Sequence, residues 1–476
     1  MAENVPSPVG AGHAPPAGTS PCHPLPRNGR KRSPYFSPLF TLHSSLSTLP
    51  LRSLPRKKVF PLDDTWYKVD NVAKVFLATA TRRDPRVFRI ACTLTEDVDP
   101  AVLNDALAAA AKQFPQFQTT LHRGLFWHYF EATPLRPQCH PEDKPPCMPL
   151  YAPERSNRLL YRVTYYGARI NLEMFHALTD GNGGLLFLKA IVQNYLTLLH
   201  PDELRDLPSP DSASVDDRQQ DDFRKFYGRR AAAPGRDRRV YQIRGRRLPY
   251  DQTRYFEAHL PARQLLDRSR ALGVTLTSYL GASLMLAVYA EMAALDRGQP
   301  IGISMPVNLR NYYPSGTARN FFNSVTVSYA FRGDETLETL APVFDAKLRE
   351  LTSPEAVRAR MDGYEKLEHM PGIRPVPLFI KNPAVNLFNG RAAATVTMVL
   401  SNLGRIQVPD ALRPYIRSFA GYNTTKSMFT VVCSYGDDLV LGTTSAYRST
   451  NVLRRFYRSL AQDGVEVILY ANEVEE

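Results

Sequence analysis

The sequence predicts an α/β (α+β) protein made of two lobes, and three observations support this fold class. Segments typical of strands alternate with segments typical of helices, and the alternation repeats in residues 59–203 and 251–476. Residues 204–250 lie between these halves and are dense in Asp, Arg and Gln, as expected of a charged linker. Near residue 180 an apolar strand-like stretch leads directly into an apolar helix-like stretch. We therefore expect two lobes, each with a sheet flanked by helices.

Composition limits the classes of function. The 476 residues suffice for two core-bearing domains, and 43% apolar with 22% charged residues is ordinary for a globular protein. Of the formal net charge of +13, +7 belongs to residues 1–58, a basic Pro- and Ser-rich stretch that we predict to be a disordered tail. The remainder has no concentrated basic face interleaved with aromatic residues, which argues against nucleic-acid binding. Its mild positive charge fits either simple solubility or a phosphorylated co-substrate.

The cysteines and the apolar stretches bear on location. The five cysteines are scattered and odd in number, which favours reduced thiols in a cytoplasmic protein. No second Cys or His pair at finger spacing accompanies Cys139, His140 and Cys147, so we predict no metal site. The N-terminus lacks the apolar stretch of a secretory signal. The longest apolar stretch, residues 279–295, contains Glu291 and predicts a buried helix, not a transmembrane segment.

In the first half, periodicity and capping residues predict the elements. Residues 69–79 mix helical and extended signals, and residues 87–95 alternate as a strand. Asp99 and Pro100 begin a helix that runs through Ala111. The remaining elements are a hairpin in 121–132, a Pro-rich loop in 133–153, one strand in 160–175, and a helix to Leu199.

In the second half, the same signals predict a similar alternation. Thr275 is expected to cap a long apolar helix that ends near Leu295, and the charge runs of the linker are expected to be solvated. The predicted strands are 255–260, 301–306, 324–331, 395–401, 428–435 and 439–445, and the other predicted helices are 262–272, 337–351, 355–367 and 452–464.

The junction near residue 180 is the candidate site. It reads His176-Ala-Leu-Thr-Asp180-Gly181-Asn182-Gly183-Gly184, and we expect the glycines to permit a tight turn. Asp180 or Asn182 could then cap the helix that follows. His176 would stand at the end of the strand, where an imidazole with an ordinary pKa of about 6.5 can serve as a general base. The alternative is an Asp-Gly turn with a histidine nearby by chance. A metal bound by His176 and Asp180 is disfavoured, because the glycines argue against the unbroken helix that would bring them together.

Several motifs in order carry a resemblance to a known family. His-x3-Asp-Gly between an apolar strand and an apolar helix resembles the signature of the chloramphenicol acetyltransferase-like superfamily. Pro306-Val-Asn-Leu-Arg-Asn311, continuing to Asn320-Phe-Phe-Asn323, is similar to the middle motif of bacterial alcohol acetyltransferase-like members. Ser401-Asn-Leu-Gly404 is similar to a segment near the active-site tunnel of the superfamily. The resemblance covers the chain from about Val59 to the C-terminus.

The resemblance implies a fold and an activity. The fold would be two chloramphenicol acetyltransferase-like lobes, each a mixed sheet flanked by helices, with a tunnel between them. His176 would deprotonate the hydroxyl of a small-molecule acceptor, which attacks the thioester of acyl-CoA directly, without an acyl-enzyme. Acyl-CoA would be a co-substrate, with no bound cofactor and no metal. Asp180 would be structural, pairing with an arginine, and Gly181 would allow close packing. The implied substrate-binding residues are Asn308, Arg310, Asn402, Gly404 and Ser427.

Departures from the family's patterns leave several points open. Condensation domains that form peptides usually carry two adjacent histidines, but Phe175 occupies the first position here, which favours O-acyl transfer. Gln118 replaces an arginine that often pairs with the motif aspartate, so Arg310 or Arg123 would take that place. The oxyanion donor could be Ser427, Thr425 or Asn402. Two other functions remain: an amide-forming condensation enzyme supplied by an acyl-carrier protein, and a catalytically silent protein that binds lipids or partners in its tunnel.

Overall fold

The computed structural model describes residues 66–151, 157–204, 207, 214–226, 238–249, 252–368, 376–472 and 474. The tail predicted for residues 1–58 therefore lies outside the described residues. The strands are β1 (Trp66–Lys68), β2 (Val87–Leu94), β3 (Thr119–Arg123), β4 (His128–Ala132), β5 (Cys139–Pro141), β6 (Tyr161–Tyr166), β7 (Arg169–Phe175), β8 (Arg254–Pro261), β9 (Ile301–Asn308), β10 (Phe322–Tyr329), β11 (Met398–Arg405), β12 (Ile416–Asn423), β13 (Met428–Tyr435), β14 (Asp438–Ser445) and β15 (Ile468–Ala471). The helices are α1 (Asn71–Thr79), α2 (Pro100–Gln113), α3 (Gly181–Leu199), α4 (Pro201–Leu204), α5 (Val215–Gln219), α6 (Asp222–Phe226), α7 (Ala262–Ala271), α8 (Leu276–Ala290), α9 (Leu337–Leu351), α10 (Pro354–Glu368), α11 (Leu378–Ala393) and α12 (Asn451–Gln462).

A mixed five-stranded sheet forms the centre of the first half, in the order β12-β2-β7-β6-β5. In the β2–β7 pair, Phe88 lies opposite Met174 and Ile90 opposite Leu172, so alternate positions give one fully apolar face. Helix α3 packs directly on this face, and α2 packs on α3. The apolar periodicity of the sequence therefore corresponds to the buried side of this sheet.

The opposite face of the same sheet carries buried charges. Glu173 is fully buried and accepts hydrogen bonds from Arg89 (Nη2 to Oε1, 2.7 Å) and from Arg162. Arg169 reaches across to Glu257 on β8 with two hydrogen bonds of 2.9 and 2.7 Å. Because bidentate arginine–carboxylate pairs fix geometry, this contact positions the two halves against each other.

The second half contains a mixed seven-stranded sheet, in the order β10-β9-β11-β13-β14-β8-β15. Its main buried helix is α8, which Thr275 caps by accepting a hydrogen bond from the Ser278 amide, as predicted. The helix ends at Ala290 and not near Leu295, since Glu291 is its C-cap and is held by Asn451 and Arg455 of α12. No single helix of the described residues is long and apolar enough to cross a membrane; α7 and α8 pass that test only as a pair bent by 83°.

Strand β12 links the two halves. In sequence β12 belongs to the second half. It nevertheless pairs antiparallel with β2 of the first half, from Ile416 opposite Leu94 to Asn423 opposite Phe88. It also packs against β13 and β14 of the larger sheet. The two lobes are therefore interlocked through β12. The boundaries given above, residues 59–203 and 251–476, stay a prediction.

Three further sequence predictions, about the elements and the linker, are wrong. Residues 160–175 form two strands, β6 and β7, because Gly167 turns the chain at a φ of +50°. The linker charges are not all solvated: Arg218 is buried, donates to the carbonyl oxygen of Gln113 at 3.0 Å, and lies 4.7 Å from the ring centroid of Phe114. The loop predicted for 133–153 contains the short strand β5.

Candidate active site

His176 lies where β7 ends and before α3 begins. Its backbone amide donates to the carbonyl oxygen of Arg86 at 2.8 Å, continuing the β2–β7 pairing by one step. Asp180 is the N-cap of α3 and accepts a hydrogen bond from the Gly183 amide on Oδ1 at 2.9 Å. An aspartate at this position satisfies amides that the first helical turn would otherwise leave unpaired. Of the two capping candidates, Asp180 takes the role.

The imidazole of His176 lies among aromatic rings. Phe76 of α1 stacks on it with ring centroids 4.4 Å apart, and Phe88 of β2 lies 4.9 Å away at a tilt. The ring of Phe322 of β10 is a third neighbour, with its centroid 6.0 Å from that of the imidazole. The histidine is half-buried: Nδ1 is enclosed without a hydrogen-bond partner, but the residue as a whole retains contact with the exterior. The ring is therefore held in place without being sealed in.

Burial, with a smaller contribution from the cation of Arg86, lowers the pKa of His176 to about 4. The Asp180 carboxylate, the histidine's own backbone and Asn320 offset part of this decrease in pKa. The charged imidazolium is disfavoured where water is displaced by phenylalanine rings. At physiological pH the ring is therefore neutral and able to accept a proton.

Asn320 connects the histidine to the second half. Its Nδ2 donates to the carbonyl oxygen of His176 at 3.0 Å and also faces Oδ2 of Asp70 at 3.4 Å. Asp70 caps α1 through the Ala73 amide at 2.7 Å, and burial raises its pKa to about 6 despite the nearby Arg319. The residue that positions the histidine backbone thus lies within the middle motif, and its role was not predicted.

Asp180 pairs with Arg310, which decides between the two predicted partners. Arg310 Nη1 donates to Asp180 Oδ2 at 2.8 Å, and the Phe321 amide donates to the same oxygen at 2.8 Å. The other guanidinium hydrogen bonds of Arg310 go to the carbonyl oxygens of Thr317, Arg319 and Phe321 and to Asn308 Oδ1. The pair is almost fully buried, so it anchors the loop between β9 and β10 to the start of α3.

The motif glycines are required by packing and not by turn geometry, which corrects one expectation. None of Gly181, Gly183 and Gly184 has a positive φ; all three lie in the first turn of α3. A Cβ on Gly183 would lie 2.2 Å from the Ala318 carbonyl oxygen, and one on Gly184 would lie 2.7 Å from the Phe88 ring. One on Gly181 would lie 2.9 Å from Leu403. The close packing expected at Gly181 is therefore present, and it extends to its two neighbours.

The Ser-Asn-Leu-Gly segment lies on β11 and reaches the motif through Leu403. Asn402 donates to Thr277 Oγ1 at 3.0 Å and accepts from the Gly404 amide at 2.8 Å, around an irregularity in the β11–β13 pairing. Gly404 has a φ of +76°, a conformation that favours glycine. Ser427 donates to the carbonyl oxygen of Thr397 at 3.1 Å. Contacts of these residues with a substrate stay predictions, as do those of Asn308 and Arg310.

Comparisons with known proteins add information on the fold. No known family profile matches the sequence, and no curated protein matches it in sequence. Among solved structures, TRI101 from F. sporotrichioides, complexed with coenzyme A and T-2, is 10% identical with a TM-score of 0.58, over 84% of this chain and 99% of that one. Polyketide synthase associated protein 5 from Mycobacterium tuberculosis is 16% identical with a TM-score of 0.52, over 83% and 97%. The starter condensation domain of rhizomide synthetase RzmA, as a mutant in complex with C8-CoA, is 13% identical with a TM-score of 0.54, over 85% and 98%.

These identities are low, so they bear on architecture alone. The shared fold extends over 97–99% of each compared chain and over 83–85% of this one. The resemblance predicted from the sequence motifs is thus confirmed at the level of the fold. This chain therefore has the fold of the compared structures, with mixed sheets flanked by helices.

Proposed function

We propose that this protein is an acyltransferase that moves an acyl group from acyl-CoA to the hydroxyl of an alcohol or a hydroxylated small molecule, in the cytoplasm. The observation that carries the proposal is the state of His176. His176 lies half-buried at a strand end with its ring stacked on Phe76, and burial keeps the ring neutral at pH 7 while making it a weaker base than imidazole in water. A neutral imidazole in this position is ready to act as a general base.

The chemistry follows from the two ring nitrogens. Since Nδ1 is enclosed by protein, we assign the proton transfer to Nε2. Nε2 takes the proton of the acceptor hydroxyl as the hydroxyl oxygen bonds to the thioester carbonyl carbon. The carbon–sulfur bond of the resulting tetrahedral intermediate then breaks, and the departing thiolate takes the proton back from the imidazolium. No bond forms to the protein, and base catalysis of this kind contributes about 10²- to 10⁴-fold.

The residues around His176 position the ring and do not share in its chemistry. Asp180 directs its two oxygens to Gly183, Phe321 and Arg310, so its charge is used within the protein. Asn320 holds the carbonyl oxygen of His176. We keep Asn402, Gly404, Asn308 and Ser427 as candidate substrate contacts, with Thr425 as a further candidate for the oxyanion donor.

The compared structures support the choice of donor. TRI101 was solved with coenzyme A, the RzmA condensation domain with C8-CoA, and another structure of this fold is named a trichothecene 15-O-acetyltransferase, TRI3. These ligands and names belong to those proteins. For this chain they favour a coenzyme A thioester over other acyl donors.

An amide-forming condensation enzyme is the second candidate, and the likeness to condensation domains favours it. The residue before His176 argues against it. Phe175 is fully buried and stacks on Tyr151 with centroids 5.4 Å apart, so this site offers one histidine and not an adjacent pair. The donor separates the two candidates: acyl-CoA would be consumed in the first case and acyl-carrier protein in the second.

The test is turnover with a panel of acyl-CoA thioesters and alcohols, measured as release of free thiol. His176→Ala should lower turnover at least about 100-fold with an unchanged circular dichroism spectrum. His122→Ala, at a half-exposed histidine of β3, is the matched control and should leave turnover unchanged. If the His176 variant retains full turnover, the proposal fails; if no donor is consumed by the unaltered protein, a silent binding protein is favoured.

A further inference from the structure

Helix α11 is not segregated into a buried apolar face and an exposed polar face. Its buried and half-buried positions include Leu378 and Val385 but also Lys381 and Asn382, whereas its exposed positions include large apolar side chains such as Phe379. Helices on a protein surface normally bury the apolar face and expose the polar one. The arrangement in α11 leaves large apolar side chains in water, which costs free energy unless something covers them.

The apolar face of α11 continues onto the neighbouring hairpin. The Leu378 amide donates to the carbonyl oxygen of Leu125 at 2.9 Å, and Lys381 Nζ donates to that of Phe126 at 3.1 Å, so the β3–β4 turn is fixed beside the helix. Six large apolar side chains of these two elements are each more than half exposed: Leu125, Trp127, Phe379, Ile380, Leu387 and Phe388. We call these six residues the α11 surface.

The charge beside the α11 surface is mainly basic. Residues 71–79, 123–128 and 378–393, which are α1, the hairpin turn and α11, contain Lys74, Arg123, Lys381 and Arg391 but no Asp or Glu, and the exposed acidic residue of the same hairpin is Glu131 of β4. Burial lowers the pKa of Lys381, and the nearby cation of Lys74 adds to this decrease. An apolar surface with a mainly basic rim is complementary to an anionic and apolar partner.

The charge also argues against two other occupants. In a symmetric dimer the same surface would meet itself, and the basic residues of the two copies would face each other. Residues 1–58 carry a net charge of +7, so they too would be repelled by the rim. A bilayer with anionic headgroups supplies both an apolar layer and negative charge, and tryptophan and phenylalanine beside Lys and Arg are typical of its interface.

We propose that the α11 surface is a docking site for an anionic lipid bilayer, with Trp127, Phe379 and Phe388 inserted at the level of the headgroups. The same location is next to the candidate active site. Helix α1 exposes Val75 toward the exterior and, one residue on, stacks Phe76 on His176. A docked protein would therefore hold its catalytic histidine one helix away from the lipid.

The experiment is binding of the full chain to phosphatidylcholine vesicles with and without phosphatidylserine, measured by flotation. We expect binding to the phosphatidylserine vesicles, and a loss of about 100-fold or more in affinity when Phe379→Ser and Phe388→Ser are combined. Leu295→Ser removes an apolar side chain that is fully exposed elsewhere and should leave binding unchanged. Raising the salt to about 1 M shortens the Debye length to about 3 Å and screens the tail and the basic rim alike. The preference for phosphatidylserine should therefore be lost there, whereas the apolar part of the difference between the variants should persist.

Tryptophan fluorescence provides the second measurement. The chain has two tryptophans, so Trp66→Phe leaves Trp127 as the only reporter. Its emission should shift to the blue on vesicle binding and be quenched by brominated lipid chains. Vesicle binding that is equal in the Phe379/Phe388 variant, or an unquenched Trp127, overturns the proposal. If the protein does not bind vesicles but forms a dimer that dissociates in the Phe379/Phe388 variant, the proposal is overturned in favour of self-association. If it does not bind vesicles but captures an acidic protein, the proposal is overturned in favour of a protein partner.

Discussion

Removing Arg310 tests whether the start of α3 depends on the pair that it forms with Asp180. The two side chains are almost fully buried, and Arg310 also donates to the carbonyl oxygens of Thr317 and Arg319. Arg310→Met would leave the Asp180 carboxylate with two backbone amide donors but without its cation. Loss of one partner of a buried pair costs about 3–5 kcal/mol, because the remaining charge is uncompensated. Arg310→Lys should recover only part of this, since a lysine cannot reproduce the fork of hydrogen bonds.

Equilibrium urea denaturation at pH 7, followed by circular dichroism, measures this cost. The double variant Asp180→Asn with Arg310→Met removes both charges and leaves no unpaired one. It should therefore be destabilised by at least about 1.5 kcal/mol less than the sum of the two single variants. Arg270→Met is the control: its pair with Asp267 is mostly exposed, and such pairs contribute about 0–1 kcal/mol. If Arg310→Met costs no more than Arg270→Met, or if the double variant is additive, the anchoring role assigned to the pair is refuted.

Three further predictions concern pH and packing. Because the pKa of His176 is lowered to about 4, kcat/KM should stay constant from pH 8 down to about pH 5 and fall around pH 4; an acid limb near 6.5 would contradict the enclosed ring. Gly183→Ala should destabilise the protein by more than about 2 kcal/mol in urea denaturation, whereas Gly390→Ala, in open space on α11, should stabilise it slightly; equal effects would contradict the packing argument. Hydrogen bonds to Asp438 and Glu257 raise the pKa of His259 to about 9, so its contribution to stability is complete below about pH 6.5 and is lost as the pH rises through 9. Asp438→Asn should reduce this slope while Glu257 maintains part of it, and an undiminished slope would rule the explanation out.

Local signals in the sequence were sufficient for most elements and for the centre of the site. Capping by Asp99 and Thr275 and the period of apolar residues predicted α2 and α8 to within a few residues, apart from the early end of α8 at Ala290. The His-x3-Asp-Gly spacing predicted a histidine at a strand end and a capping Asp180. Each of these signals arises within one element, where neighbours in sequence are also neighbours in space.

Features that depend on distant residues were not predictable in this way. Strand β12 has its partner more than 300 positions away, and the sequence around Gly421 gives no sign of it. Helix α11 has no ordinary amphipathic pattern, since apolar and polar residues occur at both its inner and its exposed positions and Pro383 lies within it. The rings of Phe76 and Phe322 come to His176 from two further elements, and only the three-dimensional structure brings them together.

The interlocking strand has a consequence for how the protein is made. Until residue 423 has emerged from the ribosome, β2 presents a row of unpaired amides and carbonyls along one edge. Strand β12 is translated more than 300 residues after β2. During this interval the edge of β2 lacks its partner and can pair with another nascent polypeptide. We therefore expect a fragment that stops before β12 to leave this edge of β2 open to pairing with another chain.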